Sequence, residues 1–507
     1  MKRLFLVILT ACLGAAFSLD AQVNCTASVS TPLLARSAGD TEAVGDLILT
    51  CTGGIPTPAG LQIPQVNFTI ALNTNLTSRV TSDSKFSEAL VLFDEPNSAV
   101  DTPEHPLLNC GQNGAPDNGP LGPGICAVFS DGNPADSYDG SANTYGTGKC
   151  LAGAVPGLNA YGCGRPNAFQ GQVNTLNSVV FLGVPMDPPG PGGRRVIRFT
   201  NLRANATAFG VTPAPIEAFV SVTSASAIFI SDPEQTVGFS ETGLLASIPA
   251  KGVVRVTEGF APAFKDKNIS FTTGNGIPGN ATFTGVVWDY NGNRNYPPDL
   301  AQNIPGTIYN TEDVFQWRNN GINGPPIPNP PPGFGGAPVL NLGMPLDSLG
   351  FGGVNTGIIE DGVSNTGTRI ALGFSHLPDG STMDCPSVVH LMRKGTTTRS
   401  TGVMVLTKTD VDGAGAFSPT TLYSTATGNL AVYEVLYADP AVVEYADIAC
   451  KLDLHGHSGG TSGIEVTVSL APFYAASSAA TPTPTIADPA PTTIPRFHPS
   501  PTALVLY

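Results

Sequence analysis

Short runs of alternating apolar and polar residues, separated by glycine, proline, asparagine and aspartate, recur along the 507-residue chain. A strand places successive side chains on opposite faces, so this period of two is typical of half-buried strands joined by turns. Long runs with the period of an amphipathic helix do not occur. The sequence therefore predicts an all-β protein, with strands that include residues 46–50, 66–72, 89–93, 195–200, 216–222, 252–256, 282–287, 368–374, 402–408, 430–437 and 464–470.

The irregular spacing of these runs favours packed sandwiches over a closed barrel. Apolar residues make up 41% of the chain, enough for real cores despite 58 glycines and 46 prolines. A chain of this length is expected to divide into two or more domains. We expect two or more immunoglobulin-like antiparallel β-sandwich domains with a long disulfide-stapled loop insertion, the sandwiches covering residues 22–247 and 248–476 with a boundary near 246–252.

Residues 1–21 have the order of a secretory signal peptide. Lys2 and Arg3 precede an apolar run over residues 4–17, and small or polar residues follow up to Ala21. This run is shorter than the roughly 20 apolar residues of a transmembrane helix, and no later segment supplies one, so no transmembrane span is expected. We expect a secreted or extracellular-surface protein. The alternative is a lipid anchor, because Leu9-Thr10-Ala11-Cys12 resembles a bacterial lipobox.

The cysteine count agrees with export to an oxidising compartment. Nine cysteines without Cys12 leave an even number, which a disulfide framework requires. Their clustering predicts one bridge in each sandwich and two more among the four middle cysteines, whose connectivity stays open. The absence of any C-x2-C pair argues against zinc. The expected disulfide residues are Cys25 with Cys51, Cys385 with Cys450, and Cys110, Cys126, Cys150 and Cys163 among themselves.

Three segments are too rich in turn residues to be ordinary strands. Residues 101–193 contain the four middle cysteines and are predicted to form a Cys-rich insertion fixed by disulfides. Residues 319–338 are rich in proline, which cannot donate a ladder hydrogen bond, so a central strand is excluded there. Residues 477–507 are predicted to form a Pro/Thr-rich tail that serves as a linker or surface tether.

Charge and motifs exclude several function classes. The net charge of −15, with few and scattered basic residues, argues against nucleic acid as a partner. Gly456-His457-Ser458-Gly459-Gly460 matches the G-x-S-x-G pattern, but a strand-like run at 464–470 follows where a nucleophile elbow needs a helix. We therefore expect a glycine-rich turn there, and we predict no catalytic residue and no cofactor-binding residue.

Metal ligands remain unknown from the sequence. His455 and His457 are too few for a site of their own. The oxygen-rich loops at 131–139, 289–293 and 410–413 are candidates for structural calcium, the cofactor that the sequence leaves open. None of these loops completes an EF-hand pattern.

The segment Asn24-Cys25-Thr26-Ala27-Ser28, followed by residues 45–54 with the sequence GDLILTCTGG, resembles the start of spore coat U-like and pilin-like secreted domains. The resemblance implies that Cys25 and Cys51 join neighbouring strands of an immunoglobulin-like sandwich. It also implies assembly of subunits outside the cell by strand exchange.

Four further segments resemble a group of uncharacterised secreted β-rich proteins of soil bacteria. They start at Arg198 (RFTNLRANA), Gln235 (QTVGFSETG), Thr257 (TEGFAPAFK) and Ala431 (AVYEVLYADPAVVEYADI). We expect a secreted or cell-surface structural, adhesive or binding protein without catalysis, whose partners are other surface proteins, like subunits or extracellular glycans. The alternative is an extracellular hydrolase acting on polysaccharide, because two carboxyls at glycosidase spacing would not show in a linear sequence.

Overall fold

The computed structural model describes residues 22–56, 64–78, 86–94, 168–210, 212–224, 227–265, 367–396, 400–407, 411–413, 429–456, 460, 462–473 and 497–507. The signal segment, Cys12, the four middle cysteines, the run at 282–287 and the loop at 319–338 lie outside these residues. Within them the fold is all-β, as predicted. No helix in the described part of the chain is long and apolar enough to cross a bilayer.

An eleven-stranded sheet with a two-stranded sheet beside it forms the first unit. Its strands alternate as the sequence predicts: Gln65–Leu72, for example, buries every second residue. The strands are β1 (Val23–Val29), β2 (Leu33–Arg36), β3 (Glu42–Ala43), β4 (Leu47–Gly53), β5 (Gln65–Leu72), β6 (Phe86–Phe93), β7 (Ala168–Thr175), β8 (Ser178–Pro185), β9 (Gly190–Thr200), β10 (Arg203–Ala204), β11 (Ala214–Ser224), β12 (Ile228–Ser231) and β13 (Glu234–Glu241), with a 3-10 turn at Ala206–Ala208. The order in the large sheet is β12-β1-β4-β9-β6-β7-β8-β5-β11-β13-β2, and β3 pairs with β10.

The large sheet folds over so that one of its faces packs against itself. Phe199 on β9 and Phe68 on β5 are separated in the sheet by three strands, yet their ring centroids lie 5.4 Å apart. Phe181 on β8 approaches Phe199 at the same distance of 5.4 Å. All three rings are fully buried. A folded sheet of this kind buries its inner face as two packed sheets would, which gives the first unit a sandwich-like core.

The second unit is built in the same way from a nine-stranded sheet and a second two-stranded sheet. Val254 on one side of the sheet and Val466 on the other share a single core, so this sheet also curls over. The strands are β14 (Leu244–Ala250), β15 (Val253–Glu258), β16 (Arg369–Ser375), β17 (Thr382–Asp384), β18 (Val388–Arg393), β19 (Ser400–Thr407), β20 (Leu430–Tyr437), β21 (Glu444–Ala449), β22 (Lys451–Asp453), β23 (Glu465–Ala471) and β24 (Ala503–Val505). The order in the large sheet is β14-β15-β21-β18-β19-β20-β16-β23-β24, and β17 pairs with β22.

Each unit contains one disulfide within the described residues. Cys25 and Cys51 are direct partners in the antiparallel pair of β1 and β4, and their sulfurs are bonded. Cys385 and Cys450 are bonded in the second unit, where β17 and β22 pair. All four cysteines are buried. Both bridges are those that the clustering of the cysteines predicts.

Three boundaries differ from the sequence predictions. Residues 168–193, assigned to the Cys-rich insertion, include β7, β8 and the start of β9, because their alternation was masked by neighbouring turn residues. The units meet at residues 242–243, earlier than 246–252, since Lys251-Gly252 is the turn of the β14–β15 hairpin. Within the predicted tail, residues 503–505 form β24 and pair with β23.

Candidate functional site

An exposed row of apolar side chains crosses one edge of the first sheet. Pro215 on β11 lies directly opposite Phe239 on β13, and Phe239 lies opposite Leu34 on the edge strand β2. Phe219 lies on the same face of β11, four residues after Pro215. Leu34, Phe219 and Phe239 are 40%, 48% and 38% exposed. We call Leu34, Pro215, Phe219 and Phe239 the apolar row.

A register shift places Phe239 on this outer face. Ile216 pairs with Gly238, whereas Glu217 pairs with Thr236, so Val237 is an extra residue in β13. The bulge lets Val237 face the core although Phe239, two residues later, faces solvent. The exposure of Phe239 is thus fixed by the pairing of β11 with β13.

A buried arginine joins the first unit to the second. Arg36, the last residue of β2, contacts Glu42 through Nη2 and Oε1 at 2.9 Å, and both side chains are at most 1% exposed. Its Nη1 donates to the carbonyl oxygen of Ala263 at 3.2 Å and to Thr368 Oγ1 at 3.0 Å. The guanidinium also lies 4.8 Å from the centre of the Phe497 ring. One cation therefore connects the first unit, the second unit and the segment 497–507.

Beside Arg36, a buried aspartate contacts the same segment. Asp40 Oδ1 lies 3.0 Å from His498 Nε2, and the aspartate side chain is only 2% exposed. Thr207 Oγ1 donates to the same oxygen at 3.3 Å. Burial raises the pKa of Asp40 to about 6, and the negative charge of Glu42 acts in the same direction, while His498 and Thr207 oppose the rise. The carboxyl of Asp40 therefore titrates in mildly acidic solution.

An open groove of about 450 Å³ runs along this junction. It lies where β14, at one edge of the second sheet, approaches β23 and β24 at the other. Its walls are mainly apolar, but hydroxyl groups and the imidazole of His498 line parts of it. Residues that line it include Leu244, Leu245, Val468, Leu470, His498 and Leu504.

Two buried glutamates lie close together in the second unit. Glu258 accepts hydrogen bonds from the backbone nitrogens of Phe264 at 2.6 Å and Glu444 at 2.8 Å. Burial raises the pKa of Glu258 to about 8, and the charge of Glu444 adds to the rise, although the two hydrogen bonds lower it. Glu258 and Glu444 are 1% and 0% exposed. A carboxyl that keeps its proton at neutral pH is what a general acid requires, but a substrate could not reach this buried pair.

The histidines within the described residues are dispersed. His455 Nε2 contacts Thr382 Oγ1 at 2.9 Å, His390 Nδ1 contacts Ser400 Oγ at 3.2 Å, and His376 lies beside Glu465. His105 and His457 lie outside the described part of the chain. In that part, no three histidine, cysteine, aspartate or glutamate side chains cluster as metal ligands would.

The other candidate sites predicted from the sequence lie only partly within the described residues. His455 and Gly456 form a turn after β22, both with positive φ, while Ser458 of the G-x-S-x-G match lies outside the described residues. The calcium candidates at 131–139 and 289–293 also lie outside, and residues 411–413 of the third form a turn. The apolar row and the junction residues Arg36, Asp40 and His498 were not singled out from the sequence, because the first depends on a bulge and the second joins distant segments.

Comparison with known proteins assigns no relative. No family model matches the chain, and a search of the curated proteins finds no match.

Proposed function

We propose that the protein is a secreted or cell-surface structural protein that binds another extracellular protein through the apolar row and performs no catalysis. The observation that carries the proposal is the alignment of Leu34, Phe239 and Pro215 on three adjacent strands at a sheet edge. Contiguous exposed apolar surface on a soluble protein marks an interaction site. A protein surface fits this row better than a glycan, whose hydroxyl groups would find no hydrogen-bond partner among these four side chains.

Export is part of the same proposal. The two disulfides support it, because disulfides persist in oxidising compartments outside the cytoplasm. A signal peptide at residues 1–21 would provide the route. We also propose that the sandwiches are immunoglobulin-like and that the first strands are related to spore coat U-like domains. The bond between Cys25 and Cys51 on neighbouring strands supports both proposals.

The experiment is fractionation of cells that export the full chain, combined with paired variants. The double variant Leu34→Ser and Phe239→Ser removes the centre of the row. Val388→Ser removes a similarly exposed apolar side chain, 49% exposed, from the second unit and serves as the control. Wild type and control should be retained on the cell surface or in large assemblies, and the row variant should be released with an unchanged unfolding transition.

Wild-type protein that appears entirely as a soluble monomer in the medium would count against this function. Equal retention of the row variant and wild type would show that another surface makes the contact.

A further inference from the structure

Residues 497–507, which we call the clasp, contact both units. Phe497 forms β-bridges with Gly39 in the first unit and with Phe473 in the second. The backbone nitrogen of His498 donates to the carbonyl oxygen of Ala38 at 2.9 Å. Further along, the clasp contains β24, which pairs with β23 of the second sheet. Its first residues therefore contact both units, whereas its last residues pair with the second.

The two attachments differ in chemistry. The second-unit half is held by ladder hydrogen bonds and by Tyr507, whose hydroxyl donates to the carbonyl oxygen of Cys450 at 2.7 Å and whose ring lies 5.5 Å from Lys251 Nζ. The first-unit half is held by groups with charge: the Phe497 ring lies against the Arg36 guanidinium, and His498 contacts Asp40. The attachment to the first unit includes a buried carboxyl, that of Asp40, whose pKa burial raises to about 6.

The groups that face Asp40 are His498 from the clasp, Glu42 from β3 with its partner Arg36 from β2, and the hydroxyl of Thr207. The aspartate side chain is almost completely buried, so its ionised form is costly unless a cation lies next to it. In mildly acidic solution the carboxyl is protonated. As the pH rises through about 6 it becomes a buried carboxylate beside Glu42.

We propose that the contact between the clasp and the first unit is a pH-sensitive latch, which is closed in mildly acidic solution and loosens as the pH rises past neutrality. The buried carboxyl of Asp40 sets this direction. The folded pKa of Asp40 lies above its ordinary value of 3.8, so the stabilisation by the protonated carboxyl is complete below that value and is lost as the pH rises through about 6.

The test is amide hydrogen exchange of the full, oxidised chain at about pH 5 and about pH 8, corrected for intrinsic exchange rates. The His498 amide reports on the latch. The Leu506 amide, which donates to the carbonyl oxygen of Ile464 at 2.8 Å, is the internal reference in the other half of the clasp. Protection of His498 should fall about tenfold or more between the two pH values. Glu258→Gln, which removes the pH-dependent loss of stability from the second unit, should keep this fall while protection of Leu506 stays constant.

Asp40→Asn removes the titrating carboxyl and should give His498 protection that no longer depends on pH. Asp439→Asn, on the β20–β21 turn, is the matched control and should behave as wild type. If Asp40→Asn does not fold, Thr207→Val serves instead: loss of its hydroxyl raises the pKa of Asp40 and should move the loosening to higher pH. Constant protection of His498 in wild type, or unchanged pH dependence in the Asp40→Asn or Thr207→Val variant, would overturn the latch.

Discussion

Arg369 and Glu434 are direct partners across β16 and β20, and Arg369 Nε donates to Glu434 Oε2 at 2.8 Å with both side chains at most 1% exposed. Arg255 and Asp447 are likewise direct partners, across β15 and β21, but are 38% and 40% exposed. The second sheet thus contains a buried and an exposed version of the same pair.

Removing one member of the buried pair should be far more damaging than removing one member of the exposed pair. Arg369→Met leaves a carboxylate in the core and is expected to lower the free energy of unfolding by about 3 to 5 kcal/mol. Arg255→Met should cost less than about 1 kcal/mol, because water screens that pair. Urea denaturation of the two variants measures both costs, and equal losses would contradict the difference in burial.

Glu258 should make the second unit less stable as the pH rises. Its folded pKa of about 8 lies above the ordinary value of 4.5, so the unfolded chain loses its proton first. The resulting stabilisation is complete below about pH 4.5 and disappears as the pH passes 8, an effect of roughly 5 kcal/mol. Glu258→Gln should flatten this pH profile in denaturation experiments. Exposed Glu234→Gln should keep the wild-type profile, and parallel profiles for all three proteins would refute the assignment.

The two disulfides should contribute unequally. The bridges span 26 and 65 residues of sequence. Each disulfide restricts the unfolded chain, and its removal should therefore lower the free energy of unfolding. We expect a loss of about 3.5 kcal/mol for Cys25→Ala with Cys51→Ala and about 4.3 kcal/mol for Cys385→Ala with Cys450→Ala. Guanidinium denaturation of the two double variants checks the order. Midpoints equal to that of wild type would show that the bridges do not stabilise the fold.

Gly252 should not tolerate a side chain. Its φ is +77°, and a Cβ there would lie 2.7 Å from Tyr507 Oη, the group that donates to Cys450. Gly395 has a φ of +87° but nothing within 4 Å of a Cβ. Both alanine variants carry the cost of positive φ, whereas Gly252→Ala also displaces Tyr507 and should be at least about 1 kcal/mol less stable than Gly395→Ala. Thermal unfolding compares the two variants. Equal unfolding temperatures would show that displacement of Tyr507 adds nothing to the cost of a side chain at residue 252.

The alternating runs named from the sequence coincide with ten of the 24 strands in the described residues. Residues 430–437 are predicted and observed with identical bounds, because a run of apolar residues, interrupted by Glu434 alone, is bordered by turn residues. Phe219 is also predictable as an outward residue, since Ile216, Ala218 and Val220 face inward by simple alternation. In contrast, alternation would place Phe239 on the same face as Val237, and only the bulge in β13 separates them.

The junction could not be predicted from the sequence for a different reason. Asp40 and His498 come from segments far apart in the chain, and neither has a neighbour in sequence that indicates a partner. Arg36 follows Leu34 and Ala35 in a short strand without regular alternation, so its burial against Glu42 and Phe497 depends on tertiary packing. The second-unit disulfide was predictable because few cysteines were available.

The parallel pairing of β1 with β12 determines when the first unit can fold. Val23 aligns with Ile228, and Leu33 on β2 aligns with Gly238 on β13, so both edges of the large sheet join the earliest residues of the unit to its latest. Contacts of such long sequence separation make folding slow. The edges cannot close before about residue 240 is available, and a shorter chain leaves unpaired strand edges that favour aggregation.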